Sequence, residues 1–267
     1  MYISDIKAKE MICDIGRKMY AKQFVNANDG NITIRTGENT VIITPTGVSK
    51  GSLTKDMLLK VDFDGNILDG TYQPTSEMYM HLNAYRHNPD IVSTCHAHCL
   101  YLTSFATAGI EIDLAISPET ALIVGKIPVA PFCCPGSREL ADSVIPYVNK
   151  YHLVLLANHG PMTWGETPEE AWFRLEAAEA YAKSCVVSKY ILNSARMMSK
   201  TQVEEVIQRL KFNISEEGKV KGTEKTDNQN PGISLSNLKS SGFSLEEDVI
   251  DRIADKLYER LCVKGNV

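Results

Sequence analysis

The chain has 267 residues, of which 43% are hydrophobic, and a formal net charge of −5. This is enough apolar sequence for one main domain, and an acidic balance without a basic stripe argues against nucleic acid as a partner. No apolar run approaches the roughly 18 residues that a membrane span needs, and the N-terminus is not typical of a signal peptide. The seven cysteines are odd in number and lack a C-x-x-C pair, which favours reduced thiols in a cytoplasm.

Hydrophobic periodicity and turn residues predict alternating helices and strands. In the first half we expect a helix over 5–24, strands near 31–35 and 40–44, a hairpin through Asp64 and Gly65, and a helix over 75–87. Then come a strand ending at His96, a short helix near 99–108, a strand near 127–131, a helix over 136–148, a strand from 153, a long helix from 168 to about 195, and a helix over 201–211.

Three of the six histidines fall at two predicted strands. His96 and His98 are two residues apart, so alternation along a strand puts both side chains on one face. A pair of imidazoles on one face is half of a divalent metal site, and Zn²⁺ suits nitrogen ligands. Such a pair alone is more often two ordinary, partly buried histidines. His159, where a second apolar strand ends, shifts the balance towards a metal site.

A metal site of this kind also needs a carboxylate, as a fourth ligand or as a base. Glu77 is the best candidate, because it is expected in the first turn of the helix over 75–87, N-capped by Thr75 or Ser76. The alternative is an ordinary acid that interacts with the helix dipole.

Three loops rich in glycine, threonine, serine and asparagine could together cradle a phosphate group without a lysine. The first contains Gly30 and Asn31, the second Thr46 and Gly47, and the third Thr75 and Ser76. The third opens a helix, whose free backbone N–H groups favour an anion. Each loop alone is only a turn, so their combination carries the prediction.

Six motifs occur together in one order: Asp29-Gly30-Asn31, Thr44-Pro45-Thr46-Gly47, Thr75-Ser76-Glu77, His96-Ala97-His98, Gly136-Ser137-Arg138-Glu139-Leu140 and Asn158-His159-Gly160. In order and spacing they resemble the class II aldolase/adducin family, over roughly residues 5–212. The resemblance implies an α/β protein with a three-layer α/β/α fold around a mostly antiparallel central sheet. It also implies a homotetramer with active sites at subunit interfaces.

The resemblance further implies roles for individual residues. His96, His98, His159 and Glu77 would hold Zn²⁺, and Glu77 would also move the substrate proton. Gly30, Asn31, Thr46, Gly47, Thr75 and Ser76 would bind the phosphate of a sugar-phosphate substrate.

Within the family, the pattern looks most like enzymes that cleave L-fuculose 1-phosphate, or a similar deoxyketose 1-phosphate, to dihydroxyacetone phosphate and L-lactaldehyde. The epimerase branch has an aspartate where Glu77 stands, so glutamate favours an aldolase. A metal-dependent dehydratase or epimerase and a non-catalytic, adducin-like interaction domain are the alternatives. Retention of all four metal-site residues argues against the last.

The chain departs from the pattern at the second acid. The aldolases place a tyrosine, reaching from a neighbouring subunit, where Ser117 stands here, and Glu119 is the candidate substitute. Thr75 replaces the first serine of its motif and keeps the hydroxyl.

The C-terminal part has a different composition. We expect a catalytic domain over 1–214, a flexible polar linker over 215–242 and an amphipathic helix within 243–267. A helix that docks on its own tetramer is one interpretation. The other is recognition of a partner, because a linker followed by a short amphipathic helix resembles the peptides that target enzymes to bacterial microcompartment shells. The mixed charge of its polar face disfavours a membrane surface.

Overall fold

The computed structural model describes residues 2–210 and 215–223. The predicted C-terminal helix and most of the predicted linker lie outside these residues. The helices are α1 Asp5–Ala21, α2 Met78–His87, α3 Leu100–Ala108, α4 Arg138–Ser143, α5 Pro168–Cys185 and α6 Lys200–Leu210. The strands are β1 Asn31–Gly37, β2 Thr40–Ile43, β3 Leu59–Asp62, β4 Ile67–Asp69, β5 Ser93–His96, β6 Val129–Ala130, β7 Leu153–Leu156 and β8 Gly160–Gly165.

The eight strands form one sheet in the order β4-β3-β2-β1-β5-β8-β7-β6. Six neighbouring pairs are antiparallel, and the edge pair β6–β7 is parallel. The sheet is therefore mixed with a mostly antiparallel order, as expected. The pairing places β5 between β1 and β8, which aligns Asn31 with His96 and His96 with Met162.

Each face of the sheet carries its own apolar core. Leu153 and Leu155 of β7 belong to the core beneath α1, α3 and α5, whereas Val154 and Leu156 belong to the core beneath α2 and α4. This follows from strand alternation, because successive side chains point to opposite faces. Helices cover both faces, so the three-layer α/β/α prediction is confirmed. No helix in the described part of the chain is long and apolar enough to cross a membrane.

Two α-helices end at least five residues before the expected position. The helix expected over 136–148 ends as α4 at Ser143, and turns continue through 150. Pro146 explains this, since proline lacks an N–H and disfavours helical backbone in the residue before it. The helix expected to reach about 195 ends as an α-helix at Cys185 and continues as a π-helical segment, Val186–Ile191.

Residues 215–223, expected at the start of the linker, pack on the folded domain. Val220 is buried, and the carbonyl of Gly218 accepts a hydrogen bond from the Lys126 N–H at 2.8 Å. Thr223 forms a parallel bridge with Ser199 just before α6. One buried apolar side chain and several backbone hydrogen bonds thus hold these nine residues against the folded domain, and the flexible linker over 215–242 stays a prediction.

Candidate metal centre

The three predicted histidines meet at one end of the central strands. His96 is the last residue of β5, and His98 follows it on the same face, with the two imidazole centroids 5.0 Å apart. His159 lies in the tight turn between β7 and β8, after Asn158 in the left-handed conformation (φ 58°). One nitrogen from each ring falls within 4.8 Å of the other two, which makes this a candidate metal site.

A hydrogen bond orients the ring of His96, and a carboxylate contact orients the ring of His98. Nδ1 of His96 lies 2.9 Å from the carbonyl oxygen of Pro161, so it carries the hydrogen and donates it. Nδ1 of His98 lies 3.4 Å from Oδ2 of Asp29, which favours a hydrogen there too. Both Nε2 atoms are then left with free lone pairs, which is the arrangement that metal-binding histidines adopt.

Glu77 completes the cluster. Its Oε1 lies 3.1 Å from Nε2 of His159, and its Oε2 lies 3.5 Å from Nε2 of His96. The side chain is buried, and Oε2 accepts a hydrogen bond of 2.9 Å from Nδ2 of Asn31. Within residues 2–210 and 215–223, neither Oε1 of Glu77 nor Nδ1 of His159 has a hydrogen-bond partner.

The helix position of Glu77 differs from the expected one. Glu77 is the residue immediately before α2, which starts at Met78, rather than part of its first turn. Thr75 accounts for this, because its Oγ1 accepts the Glu77 N–H at 3.3 Å and its carbonyl accepts the Met78 N–H at 3.1 Å. A tight turn therefore precedes the helix and directs the carboxylate to the histidines.

The donor set fits a divalent cation. Nε2 of His96 and Nε2 of His98 face each other at 3.1 Å, and two lone pairs at this distance repel unless a cation lies between them. Tetrahedral Zn²⁺ with Zn–N distances of about 2.0–2.1 Å places neighbouring nitrogens roughly 3.3 Å apart. The unpartnered Oε1 of Glu77 is a further oxygen donor at the same place. His96, His98, His159 and Glu77 are thus the residues that could hold a metal.

Burial prepares the histidines for this role. Burial, together with the neighbouring rings of His159 and His98, holds the pKa of His96 well below its usual value. The pKa of His159 is also lowered, mainly by burial, although the Glu77 carboxylate opposes the shift. Metal ligands must be deprotonated, so neutral rings at neutral pH favour binding.

The three predicted phosphate loops lie side by side next to Glu77. The Thr75 N–H donates to the carbonyl of Thr44 at 3.2 Å, and the Thr46 N–H donates to the carbonyl of Gln73 at 2.9 Å. Gly30, at φ +74°, packs so closely that an added Cβ would lie 2.8 Å from the carbonyl oxygen of His96. Thr46, Gly47 and Ser76 are exposed. The loops therefore form one polar surface beside the cluster.

A buried lysine supports two of these loops, and the sequence did not indicate it. Nζ of Lys50 donates to the carbonyl of Asn28 at 2.8 Å and to that of Val48 at 2.7 Å. Its side chain is buried, and burial lowers its pKa to about 8, against the opposing effect of Asp29. Lys50 thereby links the loop of Gly30 to the loop of Gly47.

The predicted second acid is not part of this cluster. Ser117 is used locally, because its Oγ accepts the Thr120 N–H and its carbonyl accepts the Thr120 hydroxyl. Glu119 is exposed. Within the described residues, no hydrogen bond or ion pair joins either of them to Glu77 or to the three histidines.

The sequence did not indicate the roles of four further groups around the cluster: the carbonyl of Pro161 and the side chains of Asp29, His81 and Thr94. Asp29 stands in the first glycine-rich motif, but nothing in that motif points to His98. The others become visible only when distant strands are paired.

The fold is thus a sheet covered by helices on both faces, with a candidate metal centre of three histidines and a glutamate beside a glycine-rich polar surface. Residues 10–186 match the class II aldolase and adducin N-terminal domain family. The chain belongs to this family, whose catalytic members are metal-dependent.

Individual relatives agree with this assignment. The chain is 36% identical over 182 residues to an L-fuculose phosphate aldolase of Methanococcus maripaludis, covering 68% of this chain and 96% of the relative. It is 33% identical over 185 residues to a 3-oxo-tetronate 4-phosphate decarboxylase of Haemophilus influenzae, covering 68% and 88%. Among solved structures, an L-fuculose 1-phosphate aldolase superposes with a TM-score of 0.71 at 26% identity, covering 77% of this chain and 96% of that one.

Proposed function

We propose that the protein is a zinc-dependent aldolase that cleaves L-fuculose 1-phosphate, or a similar deoxyketose 1-phosphate, to dihydroxyacetone phosphate and L-lactaldehyde. The observation that carries this proposal is the free Oε1 of Glu77, buried 3.1 Å from His159 inside the histidine cluster and next to the three loops. Relatives named L-fuculose phosphate aldolases, one of them 36% identical, support the same activity.

The loops would hold the phosphate end of the substrate. Thr75 Oγ1 accepts hydrogen bonds from Asn31 and from the Glu77 N–H, so the hydrogen of its own hydroxyl is left for a ligand. Ser76, Gly47 and Gly30 would contribute from the same surface. Anchoring the phosphate fixes the reacting carbons relative to Glu77, and such orientation lowers the barrier of the bond-breaking step.

Glu77 would move the proton. Its carboxylate takes the hydrogen of the C4 hydroxyl, the new C4 carbonyl forms, the C3–C4 bond breaks, and the electron pair moves to the C2 carbonyl, giving an enediolate of dihydroxyacetone phosphate. The same carboxyl then returns its proton to C3, so the number of protons on the enzyme is unchanged after one turnover. Bound Zn²⁺ would supply a Lewis acid that polarises the substrate carbonyl.

A second activity is favoured by the relatives named as 3-oxo-tetronate 4-phosphate decarboxylases, at 31–33% identity. Such a substrate is a β-keto acid whose loss of CO₂ leaves the same enediolate of dihydroxyacetone phosphate. This decarboxylation needs the phosphate loops, the metal and an acid that protonates the carbon of the enediolate. It needs no second acid, because no aldehyde departs. This difference matters because neither Ser117 nor Glu119 lies beside Glu77 within one chain.

The deciding experiment uses one panel of substrates and three product measurements. The purified, metal-loaded protein is given ketose 1-phosphates of different stereochemistry, the unphosphorylated ketoses and 3-oxo-tetronate 4-phosphate. Dihydroxyacetone phosphate, aldehyde and CO₂ are each quantified. The aldolase proposal expects equal amounts of dihydroxyacetone phosphate and lactaldehyde from a ketose 1-phosphate, and a free ketose should be slower by orders of magnitude. If dihydroxyacetone phosphate forms only together with CO₂, the aldolase proposal is wrong and the decarboxylase activity takes its place.

The quaternary organisation belongs to the same proposal. A homotetramer would allow a neighbouring subunit to complete the site, as the family resemblance implies. The segment 243–267 would form an amphipathic helix that binds a microcompartment shell protein, which would enclose the reactive aldehyde product and place a cytoplasmic enzyme inside a compartment. The sequence pattern alone supports this last part.

A further inference from the structure

A chain of buried, hydrogen-bonded polar side chains ends at Glu77. Tyr85 contacts Thr33 at 2.6 Å between hydroxyl oxygens, and Thr33 contacts Thr94 at 2.6 Å. Thr94 Oγ1 lies 2.6 Å from Nδ1 of His81, and Nε2 of His81 contacts Oδ1 of Asn31. Thr33, Thr94 and His81 are fully buried.

The direction of these hydrogen bonds follows from Glu77. An ionised carboxylate only accepts, so Asn31 presents its amide nitrogen to Oε2 of Glu77 and its amide oxygen to His81. Nε2 of His81 must therefore carry the hydrogen. A neutral imidazole has one N–H, so Nδ1 is an acceptor and takes the hydroxyl hydrogen of Thr94.

The remaining hydroxyl groups are then determined in turn. Thr94 has given its only hydrogen to His81, so it accepts from Thr33. Thr33 has given its hydrogen to Thr94, so it accepts from Tyr85. All five donors consequently point along the chain towards Glu77. Burial lowers the pKa of His81 to about 4, which keeps the ring neutral at neutral pH.

We propose that His81 is a positioning residue: by donating from Nε2 to Asn31, it holds the Asn31 amide in the one orientation that binds Oε2 of Glu77 and leaves Oε1 free at the histidine cluster. The other amide hydrogen of Asn31 goes to Thr75 Oγ1 at 3.1 Å. Both hydrogens are in use, so the Asn31 side chain orients the base and the adjacent loop and does not itself hold phosphate. Without the His81 donor, the amide can rotate and turn its oxygen towards the carboxylate, where the two acceptors repel.

The activity test compares two variants of similar size. His81→Gln keeps an N–H donor near the position of Nε2, whereas His81→Leu fills the space without one. We expect His81→Leu to lower kcat about 100-fold, with KM changed less than about threefold, and His81→Gln to recover most of kcat. Both are loaded with Zn²⁺, and their metal content and melting temperature are recorded. Equal losses in the two variants, a wild-type kcat in His81→Leu, or a change confined to KM would each overturn the proposal.

A second measurement does not depend on activity. In protein labelled with ¹⁵N-histidine, long-range ¹H–¹⁵N spectra distinguish the two neutral forms of an imidazole, and His81→Gln identifies the signal. Nε2–H is expected, and Nδ1–H or a charged ring at neutral pH would overturn the proposal. The kinetic part rests on the proposed function. If the wild-type protein releases no dihydroxyacetone phosphate from any substrate, the proposed function fails, and the spectrum still decides the role of His81.

Discussion

Oε1 of Glu77 lies 3.1 Å from Nε2 of His159, and it accepts no hydrogen bond from any described residue. Leaving a buried carboxylate oxygen unpaired costs free energy, on the order of 1–3 kcal/mol or more for a charged group. Unsatisfied groups of this kind mark places where a ligand or a proton completes the arrangement. The Asn31 amide occupies the other oxygen, so the free one is directed at the histidines.

The metal prediction concerns the three histidines. Replacing His96, His98 or His159 by alanine should remove both the bound metal and the activity, because a three-histidine site loses affinity steeply with each ligand. Metal content per chain is measured by elemental analysis after dialysis. His87→Ala is the control. His87 donates to the Asn83 carbonyl at the end of α2, away from the cluster, so this variant should keep its metal. Stoichiometric metal in a His96→Ala, His98→Ala double variant would contradict the assignment of these histidines as metal ligands.

The loop prediction compares two glycines with positive φ. At Gly30 (φ +74°) and at Gly109 (φ +66°), replacement by alanine should lower the free energy of unfolding by about 1–2 kcal/mol, because alanine must adopt a left-handed backbone. Only at Gly30 does the new Cβ also meet Val25 at 2.6 Å and the His96 carbonyl at 2.8 Å; at Gly109 it meets nothing within 4 Å. Gly30→Ala should therefore lower the melting temperature further and weaken metal binding at least tenfold. Indistinguishable melting temperatures and metal affinities for the two variants would contradict this packing.

Much of this site could be predicted from local patterns, and the rest could not. Extended-chain alternation, continued two residues past the end of β5, puts His96 and His98 on one face. The Thr-Ser-Glu motif singles out Glu77 as the carboxylate although the helix starts later than expected. The role of His81 depends on β1 pairing with β5, which brings Asn31 opposite His96 and lets a helical residue 50 positions away reach Asn31. No local pattern contains that information.

Two further features differ in how far the sequence reveals them. Pro146, which accounts for the early end of the helix expected over 136–148, is a signal present in the sequence. The polar composition of residues 215–223 does not reveal the buried side chain of Val220 or the backbone pairing of Thr223. Composition averages over a segment, whereas one buried residue can fix it.

The pH prediction concerns His152, away from the metal centre. Burial and Arg174 lower its pKa to about 4 from an ordinary value of 6.5. The unfolded chain therefore binds a proton that the folded chain excludes between pH 6.5 and 4, and stability falls as the pH drops through this window. From pH 7 to 5 the loss from this residue is about 2 kcal/mol.

Chemical denaturation of wild type and His152→Asn at pH 7 and 5 tests this. In the wild type, Nδ1 of His152 donates to the Ile123 carbonyl at 3.0 Å. The amide Nδ2 of an asparagine can donate in its place, and asparagine does not titrate. Its free energy of unfolding should depend less on pH than that of the wild type. The same pH dependence in both proteins would show that His152 does not contribute.

The tail prediction uses two truncations, chosen by the packing of residues 215–223. Deleting 224–267 should leave catalysis, the oligomer and the melting temperature unchanged, and should abolish co-localisation with co-expressed shell proteins. Deleting 218–267 also removes Val220, and it should lower the melting temperature. Fusing 224–267 to an unrelated protein should transfer the localisation. If the shorter deletion dissociates the oligomer, the segment is structural.

The proton-transfer role of Glu77 is tested most directly by hydrogen exchange of dihydroxyacetone phosphate in D₂O, followed by proton NMR with metal-loaded protein. The wild type should replace one hydrogen of the hydroxymethyl carbon, because Glu77 takes it and returns deuterium. Glu77→Gln, with its metal content verified, should exchange about 10²- to 10⁴-fold more slowly, since an amide cannot carry the proton. Exchange at the wild-type rate in Glu77→Gln would contradict the assignment of Glu77 as the base.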